Sequence, residues 1–335
     1  MGPVPRRQFL VAFGAVLAAP HAAGQPAARV FRVAFLSVGT PMQPNPQLDA
    51  FREALRGFGW IEGRNIVIEV SYAEGVPGRL QGLAHALVDQ KVDVILPTTT
   101  PATVAARKAT STIPIVMAGT LDVQEAGLIQ DLARPAANIT GVTMISVQLA
   151  AKRLQLLKEV VPAAKRLGFL RPRTAGNPSD PVTAMLDRLT STMEAAAQQL
   201  GMEFRSAAAI GPEEIQGAFA RLEAARIDTL YVVEGSSFVH RALIADLALK
   251  ARLPTMFTLP GYVEAGGLLC YGGDPREVYR RAASFVDRIL KGAEPGDLPV
   301  EQPTRFELVI NMKTAKALGL KIPQAILLRA DQVIE

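Results

Sequence analysis

V-D-V-I-L-P-T-T-T-P-A-T-V-A-A-R-K-A-T-S-T-I-P-I-V-M, residues 92–117, carries the fold in miniature. A short β-branched run at 92–96 precedes three threonines and Pro101, whose fixed φ suits the first turn of a helix. A second apolar run follows at 113–117. Strand, helix and strand in so short a span make a βαβ unit, and that connection leaves the two strands parallel.

Working outward, the same alternation recurs on both sides. Upstream, 30–37 reads as a strand, 46–57 as a helix with Leu48, Phe51, Ala54 and Leu55 on one face, 65–72 as a strand and 77–90 as a helix. Downstream, a helix is expected at 123–132 and a fifth strand at 138–142, which completes one doubly wound lobe. The pattern then restarts: a helix at 147–160, then strands at 166–170, 203–207, 229–233, 255–258 and 267–271 with amphipathic helices between them. A helix at 275–290, a Pro-rich connector at 295–303 and a strand at 306–310 close the chain. The helix is expected on the first lobe and the strand on the second. The predicted fold is therefore α/β: two doubly wound parallel-sheet lobes joined by a hinge of about three crossovers. The lobes are assigned to 30–145 plus 274–295 and to 146–273 plus 296–335.

The amino terminus points to export. Arg6 and Arg7 precede an uncharged run at 9–19, followed by Pro20 and by small residues at Ala22 and Gly24. That is a signal-peptide layout over 1–24, and the run falls well short of the ~20 residues that span a bilayer. The paired arginines resemble a twin-arginine signal, with an ordinary Sec signal as the alternative. With no Cys beside the cleavage site to take a lipid, the mature protein is expected to be free in the periplasm and not membrane-spanning. About 300 residues then remain, enough for two domains at roughly 150 each.

The formal net charge of +5 falls by two on loss of Arg6 and Arg7, and the remaining Lys and Arg are interleaved with acids, so no nucleic-acid partner is expected. Cys270 is the only cysteine, which excludes an intramolecular disulfide and thiolate metal clusters.

In open parallel sheets, ligands sit beyond the carboxyl ends of the strands. In the first lobe those positions hold Ser37, then Thr98, Thr99 and Thr100, then Gly119, Thr120 and Asp122. Three hydroxyls before a helix N-terminus suit a carboxylate, although plain N-capping explains any single threonine equally well. In the second lobe they hold Asn177, Glu234, Ser236, Phe257, Tyr262, Tyr271 and Asp274. Glu234 can accept from an ammonium, and the aromatics can stack on a flat ligand; each aromatic alone also fits a core or cleft-wall position.

No catalytic, metal or cofactor site is predicted. His85 and His240 lie in predicted helices outside any metal spacing, and there is no G-x-S-x-G elbow or Walker loop. Gly57, Gly59 and Gly63 follow a helix instead of a strand, which discounts a dinucleotide fingerprint. Cofactor-independent racemases also use two α/β lobes, but they need two cysteines and this chain has one.

Several blocks resemble a known family: G-W-I-E-G-R-N-I-V-I-E-V at 59–70, A-T-S-T-I-P-I-V at 109–116, L-A-R-P-A-A-N-I-T-G-V at 132–142, E-A-G-G-L-L-C-Y-G at 264–272 and D-L-P-V-E-Q-P-T-R-F-E-L-V-I-N-M-K-T-A-K-A-L-G-L at 297–320. L-L-R-A-D-Q-V-I-E at 327–335 closes the match. The chain is similar to ABC transporter substrate-binding proteins of the tryptophan and tyrosine type. That resemblance implies a type I periplasmic-binding fold whose lobes close on a small molecule, an amino acid or aromatic acid, and dock on ABC permease subunits. A periplasmic sensor that presents its ligand to a receptor is the alternative. The chain departs from the family where Asp122, Val123 and Gln124 replace a usual D-P-V, and where Ala136 and Ala137 replace a Gly pair.

Overall fold

A computed structural model describes residues 29–42, 44–135, 137–174 and 179–335, so the export signal predicted over 1–24 lies outside the described residues. The chain builds two sheets in succession. The first contains β1 (Phe31–Ser37), β2 (Ile66–Tyr72), β3 (Val94–Pro97), β4 (Ile115–Leu121) and β5 (Ile139–Met144), in the order β2-β1-β3-β4-β5 and parallel throughout. Helices α1 (Pro46–Gly57), α2 (Leu80–Asp89) and α3 (Thr100–Ala109) connect them. Both β3 and β5 are buried along their whole length: β3 is a central strand covered on two faces, whereas β5, the last strand in the order, is covered by α9 and by the segment at 298–301. The helices begin where the sequence signals them: Asn45 Oδ1 accepts from Leu48 N–H at 3.1 Å ahead of α1, and Thr99 caps α3.

The second sheet is laid down by α4 (Ala150–Val160), β6 (Arg166–Pro172), α5 (Pro181–Gln199), β7 (Glu203–Ala209), α6 (Pro212–Ala224), β8 (Thr229–Val232), α7 (Arg241–Lys250), β9 (Thr255–Phe257), α8 (Pro260–Glu264) and β10 (Leu269–Gly272). Helix α9 (Pro275–Leu290) then crosses back to the first sheet, packing on α1, β4 and β5. Trp60 Nε1–H donates to Asp287 Oδ1 at 2.8 Å across that contact. The chain stays with the first sheet through 298–301, where Glu301 N–H donates to Gly141 O and Thr143 N–H to Glu301 O, both at 2.9 Å. Residues 302–306 lead back to β11 (Glu307–Asn311), and α10 (Met312–Ala317), α11 (Gln324–Leu327) and β12 (Gln332–Ile334) finish the second sheet, ordered β12-β11-β10-β9-β8-β6-β7.

Three features differ from the sequence reading. The helix expected at 123–132 is a chain of turns, because Asp122 and Gly127 both take left-handed backbone angles and break the helical path. Buried Val123, Ala126, Leu128 and Ile129 anchor that loop, and Arg107 Nη1 donates to Leu128 O at 2.6 Å. Strand β11 runs antiparallel to β10, since the returning crossover enters the sheet at its cleft end and pairs Glu307 with Gly272. Finally, β12 is an extra parallel edge strand beside β11.

One glycine is demanded by packing inside the first sheet. Gly141 has φ of 120°, and a Cβ there would lie 2.4 Å from Met117 N, next to the register shift of β4 between Ala118 and Thr120.

Candidate functional site

The carboxyl ends of both sheets face one cavity of about 1360 Å³, walled by both lobes. The lobes touch across it on two sides. On one, Glu125 of the loop after β4 pairs with Arg188 of α5 at 2.6 Å. On the other, Val239 faces Gly39 and Gly75, with its methyl carbons 3.9 and 3.7 Å from where a Cβ would stand on each.

The first-lobe wall includes Ser37, Thr98, Thr99, Thr100 and Gly119, as strand-end reasoning placed them. Their hydroxyls are partly committed to the fold. Ser37 Oγ accepts from Gly39 N–H at 3.1 Å, Thr99 Oγ1 caps α3, and Thr100 Oγ1 accepts from Leu121 N–H at 3.0 Å. Two tyrosines that the sequence reading missed complete this wall. Tyr72 ends β2 and accepts from Asn45 Nδ2 at 3.3 Å, while Tyr279 projects from α9 beside Thr98. Phe35 supports both rings, at centroid distances of 6.3 and 6.0 Å. Inspecting the end of β2 by the same rule finds Tyr72; Tyr279 has no such signal, because α9 arrives from the other lobe.

The second-lobe wall includes Glu234 and Asp274, with Arg173, Phe238 and Arg241 alongside. Asp274 caps α9, accepting from Arg276 N–H at 2.9 Å. Other predicted residues lie elsewhere. Phe257 and Tyr262 are fully buried and stacked on each other at 4.6 Å, in the second-lobe core. Thr120 is buried against Thr103, 2.6 Å between hydroxyls. Tyr271 sits at the end of β10 against Phe306, 6.0 Å between centroids. Ser236 opens the short turn Ser236–His240, and Asn177 lies outside the described residues.

Behind the cavity, at the first crossover, lies a buried polar cluster. Asp122 accepts from Ser146 N–H at 2.8 Å and Val147 N–H at 3.2 Å, so it ties the loop after β4 to the passage into α4. Arg153 of α4 is 1 % exposed and donates to Tyr271 O at 2.6 Å, Tyr231 Oη at 3.0 Å and Ser146 Oγ at 3.1 Å. Burial disfavours its charge, but Tyr231 and Glu234 more than offset that, and Arg153 stays cationic. Burial pushes Asp122 up to about 6, against the pull of the two backbone N–H groups and Arg153. Burial likewise pushes Glu234 up to about 7, with Arg153 opposing. Burial also raises the Cys270 thiol well above its ordinary range, which leaves it protonated and unreactive.

Among the described residues, no three His, Cys, Asp or Glu gather as a metal would require, and no helix is long and apolar enough to cross a membrane.

Comparison with known proteins gives a consistent picture. A family model described as ABC transporter substrate binding protein matches residues 45–334. A tyrosine-binding protein of Clostridioides difficile is 29% identical over 283 residues, covering 83% of this chain and 79% of the relative. Among solved structures, a conserved domain protein from Vibrio cholerae superposes with a TM-score of 0.81 at 29% identity, over 91% of this chain and 100% of that one. A Streptococcus structure in complex with L-Trp follows at 0.77 and 24% identity, over 90% of this chain and 100% of that one.

Proposed function

The chain belongs to the ABC transporter substrate binding protein family, and we propose that it is the periplasmic solute-binding component of an importer, capturing an amino acid or aromatic acid between its lobes and delivering it to the permease. The observation that carries this reading is the cavity of about 1360 Å³ walled by both lobes at the carboxyl ends of their strands. Similarity to a tyrosine-binding protein favours an aromatic amino acid, and Tyr72, Tyr279 and Phe238 supply aromatic surface for such a side chain. Ser37, Thr98, Thr99, Gly119, Glu234 and Asp274 are the polar groups assigned to the solute's other end.

Capture works by population shift. A solute that touches both walls favours the closed arrangement in proportion to its differential affinity for the two forms. The chain passes between the sheets at 145–149, 273–274 and 302–306, and bending at these three passages opens the cleft. The permease then reads closure on the outer rims of the lobes.

A thermal-shift screen against the amino acids and aromatic acids tests the reading. A true solute at 100 times its Kd adds about 2.7 kcal/mol of stability. If only sugars or polyamines shift the melt, the amino-acid assignment falls. Fractionation of cells expressing the full chain tests the compartment: recovery with the cytoplasm alone removes the periplasmic role.

A further inference from the structure

Three arginines line the cavity: Arg173, Arg241 and Arg276. Arg173 holds Glu214 through two hydrogen bonds, at 2.9 and 2.7 Å, and Arg276 pairs with Asp274 at 3.1 Å. Arg241, the first residue of α7, has no acid within ion-pair distance among the described residues, and the remaining residues of the chain contain no Asp or Glu. Its one hydrogen bond among the described residues is long, from Nη1 to Phe238 O at 3.4 Å. The side chain is nevertheless held in place. Its guanidinium carbon lies over the Phe238 ring, 4.9 Å from the centroid, and Tyr262 meets that ring edge to face at 5.2 Å. Gly261 leaves the room for both, since a Cβ there would come 2.8 Å from Phe238 Cζ and 3.8 Å from Arg241 Cδ.

The opposite wall offers this guanidinium no counter-charge. Val239 faces Gly39 and Gly75, so the segment that carries Phe238 and Arg241 stands across from the ends of β1 and β2. Every cavity-lining residue between 35 and 144 is neutral, with Asn45, Gln47, Tyr72 and Gln81 as polar members. The acids that line the cavity come from elsewhere and are otherwise placed. Asp180 caps α5, Asp274 holds Arg276, Glu307 pairs with Arg305 at 3.5 Å, Glu264 is exposed at the end of α8, and the Glu234 oxygens are buried. A guanidinium over an aromatic face still presents its N–H edge, the fork that a carboxylate meets with both oxygens. The cavity also has length to spare. At about 1360 Å³ it exceeds the roughly 300–1,000 Å³ of pockets that enclose drug-sized ligands, and a single amino acid leaves most of it unfilled.

We propose that Arg241, carried on the Phe238 ring, is an anion subsite of the cleft that selects solutes with a second carboxylate, at the end away from the threonines ahead of α3. The solute class is a two-ended acid. Binding is non-covalent: the carboxylate replaces water on the Arg241 N–H groups, and no proton is transferred. A role confined to folding, with the stem covering Phe238 and the charge left in water, gives no difference between solutes with an anionic and a neutral far end. The inference rests on the solute-binding reading and extends its solute from one acid group to two.

Isothermal titration calorimetry tests it with matched pairs in which the far carboxylate is replaced by its amide: 4-carboxy-L-phenylalanine against 4-carbamoyl-L-phenylalanine, terephthalate against 4-carbamoylbenzoate, and L-glutamate against L-glutamine. L-tyrosine and L-tryptophan are run beside them as solutes with one acid group. In at least one pair the acid should bind about tenfold tighter or more than its amide, and Arg241→Gln should cut that preference to below about threefold. Acid and amide binding within threefold in every pair that binds, or a glutamine variant that keeps the preference, overturns the proposal, and the wild-type comparison stands even if the variant does not fold. If L-tyrosine or L-tryptophan binds and no acid binds tighter than its amide, this inference fails while the solute-binding reading holds. Silence across all pairs and both single amino acids overturns both.

Discussion

Replacing Glu234 by glutamine should flatten the dependence of folding stability on pH between about 4.5 and 7. Burial raises this carboxyl from 4.5 in an unfolded chain to about 7 in the folded protein. The folded state therefore holds the proton more tightly, and the resulting stability is fully present below pH 4.5. It is lost as pH rises through 7 and is constant above. An interval of about 2.5 pH units at 1.36 kcal/mol each gives a loss of about 3 kcal/mol across the window. Asp122 behaves in the same direction between 3.8 and about 6, but it is present in both proteins and largely cancels in their difference. Guanidinium denaturation of wild type and Glu234→Gln at pH 4, 5, 6, 7 and 8, without solute, gives that difference directly. The variant should gain about 3 kcal/mol on the wild type from pH 4 to 8, with equal m-values. Parallel profiles would mean that Glu234 titrates as an ordinary carboxyl, hydrated or paired, and the argument from its burial would be refuted.

Arg153→Met should cost about 3–5 kcal/mol in the same denaturation assay at pH 7, because it strands the Tyr271 carbonyl, the Ser146 and Tyr231 hydroxyls and two neighbouring acids; a loss under 1 kcal/mol would show that the cluster is wet. Gly141→Ala should destabilise by at least about 3 kcal/mol, since it combines φ of 120° with a Cβ 2.4 Å from Met117 N, and an unchanged melting temperature would contradict that geometry. Arg188→Gln removes the ion pair to Glu125 across the cleft mouth and should weaken solute affinity by no more than about fivefold, less at high salt. A tenfold or salt-independent effect would place Arg188 in contact with the solute.

Much of the fold was legible because parallel sheets leave strong marks. The buried strand β3 is a continuous apolar run, and helices α1, α5 and α9 open with an Asn or Asp cap followed by proline. The failures share a cause: they depend on where the chain goes, not on what it is made of. Residues 123–132 have apolar content fit for a helix, yet Asp122 and Gly127 turn the backbone left-handed so that the loop lies under α3, pinned by Arg107. The direction of β11 follows from the return crossover entering at the cleft end, and nothing within Glu307–Asn311 encodes it. Three residues of β12 are too few to declare a strand without β11 beside them.

The site divides along the same line. Looking just beyond strand ends finds the right level of the molecule, but it does not say which way a residue points from there. Phe257 ends β9 and Tyr262 follows in α8, and the two stack into the core, whereas Tyr72 at the end of β2 faces the cleft. Tyr279 needed the placement of α9 on the opposite lobe before its ring could be located at Thr98. The two acids make the point most sharply. Asp122 and Glu234 both follow a strand and are equally buried, so composition treats them alike. The first crossover runs its amides past Asp122 and gives it donors from Ser146 and Val147; among the described residues no other segment does the same for Glu234. With Arg153 engaged elsewhere, burial dominates at Glu234 and holds its proton to a higher pH than a surface carboxyl would keep it.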